Sequence, residues 1–397
     1  MGRTLIFNGS IITPYRMIEG GSILIEDGKI AGNYTGKPEI PHCKMVDAKG
    51  LYISPGFIDI HTHGAGGHDF MDGTVDAYLG AAMTHAMHGT TALVPTTVAS
   101  TVDSLKETFE TYRKAKSSNI HGAAFLGLHL EGPYFSMEQR GAQDPRYIRN
   151  PEREHYEEIL SWSDDIVRWS AAPELDGAME FGRSLKNRGI LPSIGHSDAI
   201  YEDVLEAYEN GYTHITHLYS GMSGVRRINA YRYAGVIESA FLIDEMTVEI
   251  IADGAHLPES LLKLIYKIKG ADKIALITDS MRAAGMPEGE SILGGLKDGQ
   301  KVLVEDGVAK LMDRTAFAGS VATADRLVRT MINIAEVPLL DAVRMMTITP
   351  ARIMGVDDKK GSVAMGKDAD LVLFDDDIKV HSSMVRGRVV YKCQNPT

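Results

Sequence analysis

Cysteine is nearly absent from this chain. Cys43 and Cys393 are the only two in 397 residues, which excludes a disulfide framework and points to a reducing cytoplasm. No apolar run approaches the roughly 20 residues that span a bilayer, which excludes membrane-spanning helices. The opening Met1-Gly-Arg-Thr-Leu-Ile-Phe-Asn-Gly9 lacks a signal-peptide core and reads straight into a strand, so a cytoplasmic location is expected. Positive charge is in deficit. A formal net charge of −12 argues against nucleic acid or an anionic membrane surface as a partner, while leaving room for a local basic pocket for an anionic small molecule. Internal repeats and low-complexity segments are missing too. No G-x-G-x-x-G stands at a first strand–helix turn, which counts against an open doubly wound sheet.

What is present begins and ends in β patterns. Thr4–Phe7, Ile11–Thr13, Ser22–Glu26 and Lys29–Ala31 read as short strands, with Glu26-Asp-Gly-Lys29 as a hairpin turn. Asp370-Leu-Val-Leu-Phe374 and Met384-Val-Arg-Gly-Arg-Val-Val-Tyr391 look alike at the other end. Neither end has enough apolar strand for a stable sheet alone, so the two halves are expected to form one small β-sandwich together. Between them strands alternate with helices, the signature of a parallel sheet with crossover helices. The strand candidates are Phe57–Ile60, Thr91–Thr96, Ala123–His129, Val167–Ala172, Ile190–His196, His214–His217, Val248–Ala252 and Ile274–Thr278. Helical stretches such as Val75–His88, Thr101–Lys116, Tyr201–Asn210, Pro258–Lys269 and Ala322–Ala335 fall between them. Eight β–α units over roughly 290 residues predict an α/β protein with a (β/α)8 TIM-like barrel. The expected division is 1–53 and 348–397 for the β-sandwich and 54–347 for the barrel. A hairpin pattern around Asp306-Gly307, between Ile292 and Ala318, interrupts the last unit and would hang over the barrel mouth as a lid.

In a barrel of this kind chemistry sits where strands finish. The first strand ends in His61 and His63, alternate residues that a strand projects to one side. The third ends in Leu128-His-Leu-Glu-Gly-Pro133, the fifth in Ser193-Ile-Gly-His-Ser-Asp198 and the sixth in Thr213-His-Ile-Thr-His-Leu-Tyr219. The seventh ends in Ile251-Ala-Asp-Gly-Ala-His256 and the eighth in Leu276-Ile-Thr-Asp-Ser280. One buried histidine is ordinary core. Histidines and carboxylates at six of eight ends, converging on one face, point instead to a metal site. His61, His63, His196 and His217 supply imidazole nitrogens suited to Zn, Fe or similar divalent ions, and Glu131 could ligate one ion or bridge two. Asp279 suits a general base for an activated water. His129, His214, Asp253 and Asp59 read as supporting hydrogen-bond groups.

At these residues the whole chain resembles the amidohydrolase superfamily, and within it the deacetylases of N-acetylglucosamine 6-phosphate. The motifs that carry the resemblance are Pro55-Gly-Phe-Ile-Asp-Ile-His-Thr-His-Gly64, His129-Leu-Glu-Gly-Pro133, Ile194-Gly-His-Ser197, Thr216-His-Leu-Tyr219, Ile251-Ala-Asp-Gly254, Thr278-Asp279 and Gly366-Lys-Asp-Ala-Asp-Leu-Val-Leu-Phe374. The resemblance implies one or two divalent metals, one held by Glu131, His196 and His217 and a second by His61 and His63. It implies that Asp279 is the base that then protonates the departing amine, releasing acetate and glucosamine 6-phosphate. It also implies a homodimer in which an arginine reaches the substrate anion across the interface. Three departures stand out. Arg140-Gly-Ala-Gln143 puts Gln143 where relatives place a substrate-contacting histidine. Ser220-Gly-Met222, with Ser220 and Gly221, replaces Asn-Ala-Met at the phosphate end. The segment with Arg226, Arg227 and Arg232, all candidates, does not align cleanly on the anion-binding arginine, and His256 remains available for an anion. A related amino sugar, such as the galactosamine isomer or one differently substituted at carbon 6, is therefore the alternative substrate. A non-catalytic scaffold would predict gaps among the metal residues, and there are none. Cyclic-amide hydrolysis would require a carbamylated lysine where Glu131 stands.

Overall fold

The computed structural model describes residues 2–393. Its eight central strands are β1 (Phe57–Thr62), β2 (Thr90–Thr97), β3 (Leu128–Glu131), β4 (Ile166–Ala171), β5 (Leu191–Ile194), β6 (His214–Ile215), β7 (Thr247–Ile250) and β8 (Ile274–Leu276). Each runs parallel to the next, from β1 on β2 through β7 on β8. β8 meets β1 just beyond its own end, where Asp279 N donates to His61 O at 2.9 Å and His63 N to Ser280 O at 2.8 Å. The buried Asp59 carboxylate fastens the same seam by accepting from Thr278 Oγ1 at 2.5 Å and Thr278 N at 3.2 Å. The (β/α)8 barrel read from the sequence is the architecture found.

Several boundaries differ from the sequence reading, each for a local reason. The third strand is not continuous: Ala124–Phe125 pairs with β2, then the chain breaks at Gly127 before β3 resumes. Gly127 has φ +150°, and a Cβ there would sit 2.3 Å from Val167 Cγ1. β5, β6 and β8 each stop two residues short of their expected ends at His196, His217 and Thr278. They stop because His196, His217 and Asp279 adopt φ of +49°, +28° and +45°, outside strand geometry. Helices α1 (Val75–Met87) and α2 (Val102–Ser118) begin at Thr74 and Thr101, whose hydroxyls accept from Ala77 N and Ser104 N. On the helix side of β4, Trp169 stacks on Tyr134 and meets Phe181 edge-on, filling the layer beneath the helices.

Both chain ends enter one sheet, in the order Arg388–Lys392, Val380–Val385, Leu371–Phe374, Tyr52–Pro55, Arg3–Ile12, Met17–Glu26, Lys29–Thr35. Cys43–Asp47 adds a parallel strand on Arg3–Ile12 that the sequence reading lacked. Thr4–Phe7 and Ile11–Thr13, expected as two strands, form one strand with register shifts at Gly9. Ile6, Ile23, Ile53 and Leu371 from the two halves share one buried core. After β8, Gly289–Leu293, Gln300–Glu305 and Val308–Leu311 form an antiparallel insertion. Asp306 and Gly307 turn its second hairpin at φ +56° and +70°, as a two-residue turn requires. Arg282 ties the base of this insertion to the β1 loop, donating to Gly294 O and Asp72 Oδ1 at 2.7 Å each. Among the described residues no helix is long and apolar enough to cross a membrane.

Candidate active site

The strand pleat brings His61 and His63 to the same side of β1, ring centroids 5.3 Å apart. Thr62 between them turns away and meets His85 Nε2 at 2.9 Å. Across the barrel mouth, Glu131 at the end of β3 offers Oε1 to His196 Nε2 at 3.2 Å and His217 Nε2 at 3.0 Å. Its two oxygens also lie 3.6 Å from His61 Nε2 and 3.4 Å from His63 Nε2. Asp279 Oδ1 completes the ring at 3.5 Å and 3.2 Å from the same two nitrogens. Two triads result, His61–His63–Asp279 and Glu131–His196–His217, with the ligand atoms of each within 4.8 Å of one another and every member buried.

These residues fit a divalent ion on three grounds. His196 Nδ1 and His217 Nδ1 are engaged by the carbonyls of Gln139 at 2.8 Å and Ser220 at 3.1 Å, so each ring is oriented with its Nε2 toward Glu131 and the site. His61 Nε2, the ring atom turned toward Glu131 and Asp279, is buried without a hydrogen-bond partner, an arrangement that is costly unless something binds there. The carboxylates also attract positive charge. Burial works to lower His61, but Asp279, Glu249 and Glu131 outweigh it and hold the imidazole up at about 9. Burial likewise works to raise Asp279, and His61 and His63 overcome it and keep the carboxyl below its usual range. Carboxylates that close together call for a cation among them.

The backbone bends at the same places. His196, His217, Tyr219 and Asp279 all have positive φ, an uncommon state for such residues that concentrates at functional sites. Gly221, at φ +57°, lets the chain pass under His196: a Cβ there would lie 2.8 Å from His196 Nδ1 and 2.9 Å from Gln139 O. Gln143 is held from both ends. Its Oε1 accepts from Ala99 N at 2.9 Å, which turns its Nε2 toward Glu131 Oε2, also at 2.9 Å. Above the triads opens a cavity of about 860 Å³, walled by Gln143, Ser220, Gly221, His256 and, from the insertion, Leu293 and Phe317. His256 Nδ1 bonds Asp253 Oδ2 at 2.9 Å while its ring packs 4.5 Å from Phe317.

The three hairpin arginines are not in that wall. Arg226–Ile228 and Tyr231–Tyr233 form an exposed β-hairpin, in which Arg226 pairs with Asp198, and Arg227 and Arg232 face each other across the strands. His129, His214 and Asp253 hold supporting hydrogen bonds, His129 to Ser170 Oγ at 2.7 Å and His214 to Thr247 Oγ1 at 2.8 Å. Two residues escaped the sequence reading. Arg168 of β4 and Glu249 of β7 are fully buried and joined by two bonds of 2.5 and 2.9 Å directly beneath the triads. The available signal was a lone charge inside an apolar strand, in Ile166-Val-Arg-Trp169 and Val248-Glu-Ile-Ile251.

Comparison with known proteins agrees with this geometry. The sequence pattern of the amidohydrolase family matches residues 52–390. N-acetylglucosamine-6-phosphate deacetylase of Bacillus subtilis (strain 168) is 34% identical over 392 residues, covering 98% of this chain and 97% of that protein. N-acetylgalactosamine-6-phosphate deacetylase of Escherichia coli O157:H7 is 32% identical, covering 96% and 97%. The structure of a mutant of the Mycobacterium smegmatis N-acetyl-D-glucosamine-6-phosphate deacetylase, in complex with N-acetyl-D-glucosamine-6-phosphate, superposes with a TM-score of 0.90 at 28% identity, covering 98% of this chain and 100% of that one. With a barrel closed at Asp279, two buried triads at its mouth and relatives matched end to end, the chain belongs to the amidohydrolase family.

Proposed function

We propose that the chain is a metal-dependent deacetylase that hydrolyses N-acetylglucosamine 6-phosphate to glucosamine 6-phosphate and acetate. The observation that carries the reading is the juxtaposition of the two triads with Asp279 under a sugar-sized cavity. Glu131, His196 and His217 would hold one divalent ion, and His61 and His63 with Asp279 a second. A bound ion of this kind polarises an amide carbonyl and makes water a nucleophile near neutral pH.

The protein's own groups supply the rest. Asp279, kept ionised among the histidines, accepts a proton from the attacking water. It then delivers that proton to the amide nitrogen as the carbon–nitrogen bond breaks, because an unprotonated amine is a poor leaving group. Water thus adds hydroxyl to the acetyl carbon and hydrogen to the nitrogen, and the atoms balance. Gln143, its amide orientation locked by Ala99, donates one N–H to Glu131 and would offer its second to the acetyl oxygen. His256, Ser220 and Gly221 line the remainder and would seat the substituted end of the sugar. In a homodimer, Arg227 or Arg232 on the exposed hairpin would supply the positive charge for the phosphate of the partner's substrate.

Acetate release tests this across N-acetylglucosamine and N-acetylgalactosamine carrying phosphate, sulfate or hydroxyl at carbon 6. Turnover of N-acetylglucosamine 6-phosphate above the others is expected. Preference for the galactosamine isomer would favour the second reading, which the replacements at Gln143, Ser220 and Gly221 motivate. No acetate from any of them, with metal-loaded enzyme, overturns the assignment.

A further inference from the structure

Arg168 crosses the barrel lumen and spends all three of its nitrogens there. Nε donates to Ser193 Oγ at 3.0 Å, Nη1 to Ile60 O at 3.1 Å and Glu249 Oε2 at 2.5 Å, and Nη2 to Thr216 Oγ1 and Glu249 Oε1 at 2.9 Å each. From its seat on β4, one guanidinium therefore touches β1, β5, β7 and the turn that follows β6. Glu249 is equally committed. Its Oε2 also lies 3.3 Å from His214 Nε2, and its Oε1 lies 2.8 Å from His61 Nδ1 and 3.2 Å from the backbone N of His217.

That last oxygen links the two triads from below. An ionised carboxylate can only accept, so the ring nitrogen of His61 that faces it must carry the hydrogen. That leaves Nε2, the buried atom that has no partner within the protein, as the ring nitrogen turned to the metal site. The same oxygen grips the turn at His217, whose φ of +28° swings its ring over to Glu131. A carboxylate alone at this depth would be costly to bury, and Arg168 provides the fixed countercharge with two-pronged geometry.

We infer that Glu249, braced by Arg168, is a positioning residue that sets the imidazole orientation of His61 and the turn of His217, and so prepares both metal subsites. The inference rests on the metal reading above. It is separable from a structural role because a buried ion pair can be exchanged for apolar groups of similar volume without unfolding the protein, whereas removing one partner leaves a stranded charge.

The test uses purified full-length enzyme loaded with zinc, and reads bound metal per chain and zinc affinity by chelator competition. Arg168→Met combined with Glu249→Leu is the informative variant, with Glu249→Gln and His61→Ala beside it. Thermal melting first establishes that each variant is folded. His61→Ala should lose the ion of its own triad and Glu131→Ala the other; metal content unchanged in both overturns the metal reading itself. The double variant, folded, should bind zinc about 10–100-fold more weakly, the usual effect of removing a group that orients a ligand histidine. Glu249→Gln, which keeps an acceptor but weakens the hold of Arg168, should fall between. A folded double variant that binds the wild-type amount of zinc with wild-type affinity, while His61→Ala does not, overturns the positioning role alone.

Discussion

The partner of Thr62, the residue between the two β1 histidines, reports on how dry the barrel's outer layer is. His85, on α1, is buried against Thr62, and burial pushes its imidazole down to about 3 from 6.5. Its nearest carboxyl, Asp59 at 3.9 Å, offers no countercharge in mild acid, since burial raises Asp59 to about 7 and leaves it neutral there. The sign follows. Between pH 6.5 and about pH 3 the unfolded chain takes up a proton at this position that the folded chain refuses, so the contribution of His85 to stability is full above pH 6.5 and falls as the pH drops. At pH 5 the gap is about 1.5 pH units, which at about 1.4 kcal/mol per unit removes about 2 kcal/mol relative to pH 8. In His85→Gln, where the side chain can still bond Thr62 but does not titrate, that loss should vanish. Urea unfolding followed by the fluorescence of the fully buried Trp169 measures it, comparing the pH 8 to pH 5 difference in the two proteins. If both lose the same stability between those pH values, His85 is not held neutral by burial and the reasoning is wrong.

Three further outcomes are expected. Asp279→Asn should cut kcat by at least about 100-fold while retaining the ion of Glu131, His196 and His217, and near-normal turnover would remove Asp279 from the role of base. Glu131→Ala, which deletes the oxygen 3.2 and 3.0 Å from His196 and His217, should lose one equivalent of metal by elemental analysis; undiminished content would contradict that ligand set. Gly221→Ala must place a methyl 2.8 Å from His196 Nδ1 at a positive φ, so melting should drop by the equivalent of about 1–3 kcal/mol and zinc should bind more weakly. A variant that melts and binds like wild type would mean the loop relaxes freely.

The site was legible where local rules suffice. His61 and His63 could be placed on one side because a pleat repeats every two residues, and Glu131, His196, His217 and Asp279 because barrels end their strands on one face. Arg168 and Glu249 were not legible, since each is a single charge in an apolar strand and the two are 81 positions apart. Only the closed barrel makes them neighbours. The same holds for Arg226, whose partner Asp198 lies on another loop, and for the stops of β5, β6 and β8, which depend on left-handed turns that histidine and aspartate seldom adopt. The Asp306-Gly307 turn, by contrast, was visible because its dipeptide has one common conformation.

The shared sheet of the two termini has a consequence for the order of folding. Tyr52–Pro55 is paired on one edge with Arg3–Ile12 and on the other with Leu371–Phe374, and Gly56 N reaches Asp370 O at 2.9 Å just before β1 begins. The strand that aims His61 and His63 is thus set at its root by residues more than 300 positions later. On a ribosome those residues emerge more than 300 positions after β1, so the root of β1 must wait for them, and a nick or deletion near Leu371 would reach the chemistry without touching the barrel mouth.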